Sequence, residues 1–443
     1  MNNKLLWKIH NWVGLYAGVV IAFLSITGAA ALFRPEIDRV FNPHLTIVAK
    51  QDSTVSLTQI VQKVLSSHPD KHLFEVEMPK EHLDTWNIRL QPNKAEKLHP
   101  IFWEVFVDPY TGKILGERNY YESFSYFLRN IHVRFYEALY GRQIVGLAGI
   151  ALLISTITGL LIYGKFMKNL SFGKIRRKNL RITQADLHKT IGISALLFNL
   201  IIAITGAWLG LQSYLMKGLD ITMPNQFVRE QKVYSKDQDT HFPLDYDAIL
   251  TKTQSAFPEL QPWYIRPSTN GEGLVHVYGN VQGQVYERRS NKLVFDKAGY
   301  GIEHQYNISD QGFGAKLYYV QEALHFGDFA GLSMKLLYCL LALSSGFLSL
   351  SGFIIYLERI KKQRQKTAAL PLKPLLLRWT FGMLLFIGIM AVLSMRFGIG
   401  IPSLFVSTAT YGFLLLLLTR KLIQIGRKYL LSTAKKPKYE KTI

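Results

Sequence analysis

Apolar residues along this chain come in blocks rather than in an even scatter. Residues 12–33, 144–163, 191–211 and 336–357 contain no Asp, Glu, Lys or Arg. Each block is about 20 residues, the length that carries a helix across a hydrocarbon core. Two slightly shorter blocks, 379–395 and 401–419, have the same character. The pattern predicts six transmembrane helices and excludes a soluble protein. Between the blocks the periodicity changes. Residues 56–67 space their apolar positions as an amphipathic helix does, while 85–90 and 101–107 alternate as strands do. Asp108-Pro109-Tyr110-Thr111-Gly112 reads as a turn, with Pro at the first corner and Gly where positive φ is needed. The second polar stretch predicts a helix at 246–256, strands at 273–278 and 284–288, and a degraded turn at Asp296-Lys297-Ala298-Gly299.

An internal repeat organises these elements. His10-Asn-Trp-Val-Gly14 recurs as His188-Lys-Thr-Ile-Gly192, and 18 residues past each histidine Thr27-Gly28 recurs as Thr205-Gly206. Thr158-Gly159 in the second block matches Ser351-Gly352 in the fourth, and 27 residues before each glycine stands His132 or His325. The unit is helix, α+β domain, helix, used twice in one orientation, as in parallel repeats about an axis along the membrane normal. The last two blocks have no counterpart and read as an appended hairpin.

Charge sets the predicted topology. Of the net +21, nearly all sits in four short segments, 1–9, 164–185, 358–378 and 420–443, which hold 24 Lys and Arg against Glu358 and Glu440. Short basic loops stay in the cytoplasm, so both termini are expected inside and both α+β regions outside. A charge so placed is a topology signal, and nucleic acid is not an expected partner. Lys4 and Lys8 before the first block, with Gly28-Ala29-Ala30-Ala31 near its end, resemble a secretory signal. The apolar stretch of about 22 residues exceeds a signal core of 7–15, so a retained anchor is expected. The expected division is a first transmembrane helix at 1–34, an external domain at 35–142, and helices 2 and 3 with their basic loop at 143–211. A second external domain follows at 212–331, helix 4 at 332–357, the hairpin at 375–422 and a basic tail at 423–443.

Candidate chemistry rests on histidine. Cys339 is the single cysteine, which excludes disulfides, CxxC redox pairs and iron–sulfur ligation from this chain. Four of the twelve histidines, His10, His132, His188 and His325, occupy repeat-equivalent places at the N-terminal ends of the four repeat spans. A repeat axis sets His10 across from His188 and His132 across from His325, the arrangement bis-histidine haem ligation requires. A duplicated chain inherits a structural histidine as readily as a ligand, so the repeat leaves both readings open. Gly14 and Gly192, four residues on from their histidines and on the same helical face, tip the balance toward a flat macrocycle, although small residues also serve plain helix packing. Arg129, Arg134 and Arg142 flank His132 as candidate partners for haem propionates, with interfacial snorkelling as the alternative. Glu322 and Asp328 flank His325, where a carboxylate could orient the imidazole. Nucleotide-binding and hydrolase motifs are lacking, so neither NAD(P)H nor ATP is an expected ligand.

The His10–Ala29 repeat, the DPYTG turn at Asp108–Gly112, and the pairs Leu187-His188 and Leu324-His325 together resemble the PepSY-associated transmembrane family, over roughly residues 1–360. The family comprises iron-regulated bacterial inner-membrane proteins with PepSY-like external domains, including FoxB-type ferrisiderophore reductases. The resemblance implies an α-helical membrane protein with two PepSY-like α+β periplasmic domains, as two parallel helix–domain–helix repeats plus a C-terminal helical hairpin. It further implies haem b, two per chain, held by His10, His188, His132 and His325. Electrons would pass from a cytoplasmic or membrane donor to a periplasmic iron(III)-siderophore, releasing iron(II). The second domain departs from the pattern, with DKAG in place of DPYTG. Two other functions compete: a siderophore or solute permease, and a membrane-anchored PepSY module that regulates or inhibits a protease. Against the permease, the spans lack the buried ionisable residues of ion-coupled pathways.

Overall fold

The computed structural model describes residues 3–79, 84–93, 102–135, 139–166, 173–286 and 289–364. The predicted helices at 379–395 and 401–419, and the basic tail, lie outside the described residues. Helices α1 (Asn3–Leu32), α2 (Arg34–Phe41), α3 (Pro43–Thr46) and α4 (Leu57–Ser67) precede strands β1 (Lys71–Glu77), β2 (Trp86–Pro92), β3 (Trp103–Val107) and β4 (Ile114–Asn119). Then come α5 (Phe124–Arg134), α6 (Leu139–Phe166), α7 (Leu180–Ser194), α8 (Leu196–Gly218), α9 (Lys236–Thr240) and α10 (Tyr246–Ala256). Strands β5 (Leu260–Pro267), β6 (Leu274–Val281), β7 (Asn291–Asp296) and β8 (Ile302–Tyr306) follow, and then α11 (Phe313–Phe326) and α12 (Gly331–Arg364). The chain divides into two compact units.

The first unit is helical. Among the described residues four helices are long and apolar enough to cross a membrane, over Lys4–Leu32, Gly141–Gly164, Leu196–Gly218 and Gly331–Ile360. Helices α6 and α8 meet at backbone distance. A Cβ on Gly210 would collide with the Gly146 backbone, and one on Gly149 would stand 2.7 Å from the Ala207 nitrogen. Between apolar helices, small residues are what permit such an approach. A helix break at Ala195 separates α7 from the membrane helix α8, where the sequence predicts one span over 191–211. On α7, the buried Asp186 carboxylate accepts from the Arg176 backbone N–H at 3.0 Å and from its guanidinium at 2.9 Å, so the basic loop is tied to the helix.

The second unit is α+β, and both polar stretches contribute to one sheet. Its order is β4-β3-β2-β1-β5-β6-β7-β8, antiparallel throughout. The seam pairs β1 with β5 at Val76↔Ile265 and Glu77↔Tyr264. One face carries the core: Val76, Ile88, Val105, Ile265, Val277 and Leu293 are fully buried with Val64 of α4 and Ile249 of α10. Each such aliphatic side chain contributes roughly 1.5–3 kcal/mol of burial. The two helices cap one another. Asp247 of α10 accepts from the Leu57 and Thr58 N–H groups that open α4, while Thr58 Oγ1 accepts from the Tyr246 N–H that opens α10. These otherwise unpaired amides of a helix's first turn are thereby satisfied.

Helices expected at 56–67 and 246–256 are α4 and α10, and the strands expected at 85–90, 101–107 and 273–278 are β2, β3 and β6 within two or three residues. Of the strand expected at 284–288, residues 284–286 lie in the connection between β6 and β7 and residues 287 and 288 lie outside the described residues; the next strand is Asn291–Asp296. Gly283, with φ +84°, turns the chain before that alternation begins. Both predicted turns share one geometry, since Gly112 N–H donates to Asp108 O and Tyr300 N–H donates to Asp296 O. Gly112 (φ +64°) therefore corresponds to Tyr300 (φ +55°), not to Gly299. A tyrosine with positive φ is strained. Here its hydroxyl accepts from the Asp245 N–H at 2.7 Å and its ring packs against the core.

Candidate metal centres

Four histidines form two facing pairs. The rings of His10 and His188 have centroids 6.2 Å apart and planes crossing at 89°. Those of His132 and His325 lie 6.4 Å apart at 33°. His10 and His188 belong to the helical unit, and His132 and His325 to the α+β unit. The second pair does not open the membrane helices, as the sequence had suggested. His132 sits on α5 and His325 on α11, short helices that end at Arg134 and Phe326 before α6 and α12 begin. Gly327, in the left-handed region at φ +62°, ends α11.

Three of the four rings, those of His10, His188 and His132, are oriented by a hydroxyl that stands next to a glycine. His10 Nδ1 lies 3.1 Å from Thr158 Oγ1 and 3.1 Å from the Ser155 carbonyl. Thr158 Oγ1 already donates to the Ile154 carbonyl at 2.6 Å, so the proton between it and the ring belongs to Nδ1. His188 repeats the arrangement. Its Nδ1 lies 2.8 Å from Ser351 Oγ, which donates to the Leu348 carbonyl at 3.0 Å. Both rings are thus fixed as the Nδ1–H tautomer, and Nε2 is the nitrogen able to bind a metal. Metal-binding histidines are commonly set this way. His132 Nδ1 pairs with Thr27 Oγ1 at 3.2 Å.

The adjoining glycines admit the rings. A Cβ would come within 2.8 Å of His132 Cε1 at Gly28, 3.2 Å of His10 Cε1 at Gly159 and 3.5 Å of His188 Cε1 at Gly352. Gly14 and Gly192 do not touch the rings: a Cβ on Gly14 meets nothing within 4 Å, and one on Gly192 meets only Leu348 at 3.7 Å. The hydroxyl–glycine dipeptides are in the sequence as parts of the repeat, but nothing local connects residue 158 to His10 or 351 to His188.

Burial, with the neighbouring His132 imidazole adding to it, pushes His325 down to about 3, so this ring is neutral, the form that ligates. Arg134 closes α5 two residues beyond His132. Arg142 donates to the Leu209 carbonyl at 2.7 Å and to Gln212 Oε1 at 3.1 Å, which ties α6 to α8. Among the described residues no three His, Cys, Asp or Glu side chains gather to hold a metal ion.

Four apolar spans and an α+β sheet define a multi-pass membrane protein. The chain belongs to the PepSY-associated TM region family, whose model matches residues 7–359. It is also similar to Uncharacterized protein PA4219 of Pseudomonas aeruginosa, with 23% identity over 251 residues. That similarity takes in 52% of this chain and 63% of the relative's length.

Proposed function

We propose that this protein is a haem-containing inner-membrane reductase that passes electrons to a periplasmic iron(III)-siderophore. The histidine pairs carry this reading. An imidazole–metal bond is about 2 Å long, so two of them on opposite sides of one iron, with the ring radii added, set the centroids about 6 Å apart. The 6.2 and 6.4 Å separations fit that requirement. So do the Nδ1–H tautomers that Thr158 and Ser351 impose.

The equivalence of Thr158 with Ser351 and of Gly159 with Gly352 supports two parallel helix–domain–helix repeats, each repeat lending one histidine to each centre. Haem b held by His10, His188, His132 and His325 would supply one-electron exchange, and the hydroxyls of Thr158, Ser351 and Thr27 orient three of those imidazoles. Iron(II) has the lower charge of the two oxidation states and binds hard oxygen chelators less well, so reduction releases the metal. The basic segments 1–9 and 164–185 favour cytoplasmic termini and a periplasmic α+β unit. The reductant is then a cytoplasmic or membrane-borne donor.

The test is a visible spectrum of detergent-purified protein, air-oxidised and then dithionite-reduced, with haem quantified per chain. Two b-type haems, one lost with His10→Ala or His188→Ala and the other with His132→Ala or His325→Ala, are expected. Protein that stays haem-free after expression with ample haem would overturn the reading and favour transport or regulation.

A further inference from the structure

Register places one residue from every strand in a single row across the polar face of the sheet. From β4 to β8 it reads Arg118, Glu104, Arg89, Glu75, Arg266, His276, Val294, His304. The β1–β5 seam continues it through the Arg266–Glu75 ion pair at 2.7 Å. The first half is laced with ion pairs, with Arg89 Nε and Asn87 Oδ1 its unpartnered atoms. Arg118 pairs with Glu104 at 2.9 Å, Arg89 with Glu75 at 3.0 Å, and Arg118 also with Asp38 of α2 at 2.7 Å.

The second half is different in kind. Past Glu75 the row has no carboxylate, and neither does the row beside it, Tyr264, Tyr278, Lys292 and Tyr306. Cations gather there nonetheless. Arg266 lies over the Phe74 ring at 4.3 Å, Arg289 lies over Tyr264 at 4.5 Å, and Lys292 is buried. Among the described residues, Glu75 is the carboxylate that answers Arg266 and Arg289, and it also serves Arg89. Among the buried polar atoms of this half of the face that have no hydrogen-bond partner, four can donate, His276 Nδ1, His304 Nε2, Tyr306 Oη and Arg266 Nε, and one, Asn280 Oδ1, only accepts. Buried polar groups are nearly always paired, so four together need a common explanation.

We propose that the polar face of β5–β8 is a binding site for a polycarboxylate anion. Excess positive charge supplies the attraction, and the unpaired imidazole, phenol and guanidinium atoms supply directed hydrogen bonds to carboxylate oxygens. Size favours a ligand of several carboxylates. His276 and His304 stand two strands apart, roughly 10 Å between backbones, wider than one water molecule bridges. His276 is held neutral, down to about 3, by burial and then by the charges of Lys292 and Arg266, so it serves as a hydrogen-bonding group and not as a cation. Phe227 stacks on His304 at 4.9 Å and closes that end.

Isothermal titration of the full-length protein in detergent with citrate at low salt tests the proposal. One citrate per chain is expected, with binding at least about tenfold weaker in His276→Leu and in His304→Leu. His241→Gln, an exposed histidine elsewhere in the unit, leaves binding unchanged, and acetate binds far more weakly than citrate. Citrate also raises the melting temperature of the wild-type protein, a readout that does not depend on either variant folding. No citrate binding, equal binding in both leucine variants, or a density map with only separate waters on the four atoms would overturn the proposal. Binding is read without electron transfer, so this result and the haem result stand or fall separately.

Discussion

His188 Nδ1 stands 2.8 Å from the hydroxyl of Ser351, across 163 residues of chain, and that hydroxyl has its own proton committed to the Leu348 carbonyl at 3.0 Å. A serine so committed can only accept from the ring, and the tautomer of His188 follows. Thr158 does the same for His10 through its bond to the Ile154 carbonyl.

Removing either hydroxyl leaves the histidine in place but its ring unguided. Ser351→Ala and Thr158→Val are expected to weaken haem retention at the His10–His188 centre by about 10- to 100-fold. Haem-transfer kinetics to an excess of apomyoglobin measures this. Retention equal to wild type in both variants would show that the hydroxyls are only structural.

Three glycines give a graded series. Gly28→Ala puts a methyl 2.8 Å from His132, Gly159→Ala 3.2 Å from His10, and Gly352→Ala 3.5 Å from His188. The first displaces its ring and empties the His132–His325 centre, the second weakens its own, and the third is ordinary contact. Since Ala is better than Gly in a helix by about 1 kcal/mol, Gly352→Ala should also melt later. Haem per chain and melting temperature, compared across the three, check the order.

Ring angles should separate the two centres spectroscopically. Planes near perpendicular, as at His10 and His188, make low-spin ferric haem strongly anisotropic, whereas the 33° of His132 and His325 gives an ordinary rhombic signal. Low-temperature electron paramagnetic resonance should show both, the first lost in His10→Ala and the second in His325→Ala. One signal type for both centres would contradict the ring geometry.

Glu75 is fully buried and carries three guanidiniums, from Arg89 at 3.0 Å, Arg266 at 2.7 Å and Arg289 at 3.0 Å. Glu75→Gln leaves those charges without their shared anion and should cost about 3–5 kcal/mol. Because Glu75 borders the β1–β5 seam, hydrogen exchange in the variant should rise first at Val76 and Ile265. Uniform exchange across the sheet would place the damage elsewhere.

Acid should loosen the basic loop. The Arg176 guanidinium holds the Asp186 carboxyl below the usual carboxylate range. A depressed folded pKa stabilises fully above the ordinary value of about 4 and is lost as pH falls through the folded value. Proteolysis of the loop at Arg176–Lys178 is therefore flat from about pH 8 to 5 and rises below about pH 4. Asp186→Asn should be cleaved faster already at neutral pH. Arg176 is partly in solvent, so added salt should weaken the effect.

The spans and the helices at α4 and α10 were legible because each writes its burial into a local period: an unbroken apolar run for lipid, or a spacing of three and four for one buried face. The histidine pairs were legible through the repeat. Matched spacings from shared motifs pair equivalent residues without showing what they touch. The strand placed at 284–288 failed because alternation does not show where a turn such as that at Gly283 ends.

Other features needed the tertiary structure. β1 finds β5 across nearly two hundred residues, and the edge-to-edge match that makes eight strands one sheet leaves no local mark. The same holds for the glycines. Gly14 and Gly192 share a helical face with their histidines, where the sequence expects room for a macrocycle, whereas the glycines that admit the imidazole rings lie on other helices. The sequence alone determined which histidines belong together. Only packing decided which hydroxyls orient them, at what angle the rings cross, and which half of the sheet keeps its polar atoms unpaired, because each depends on backbone brought close from far along the chain.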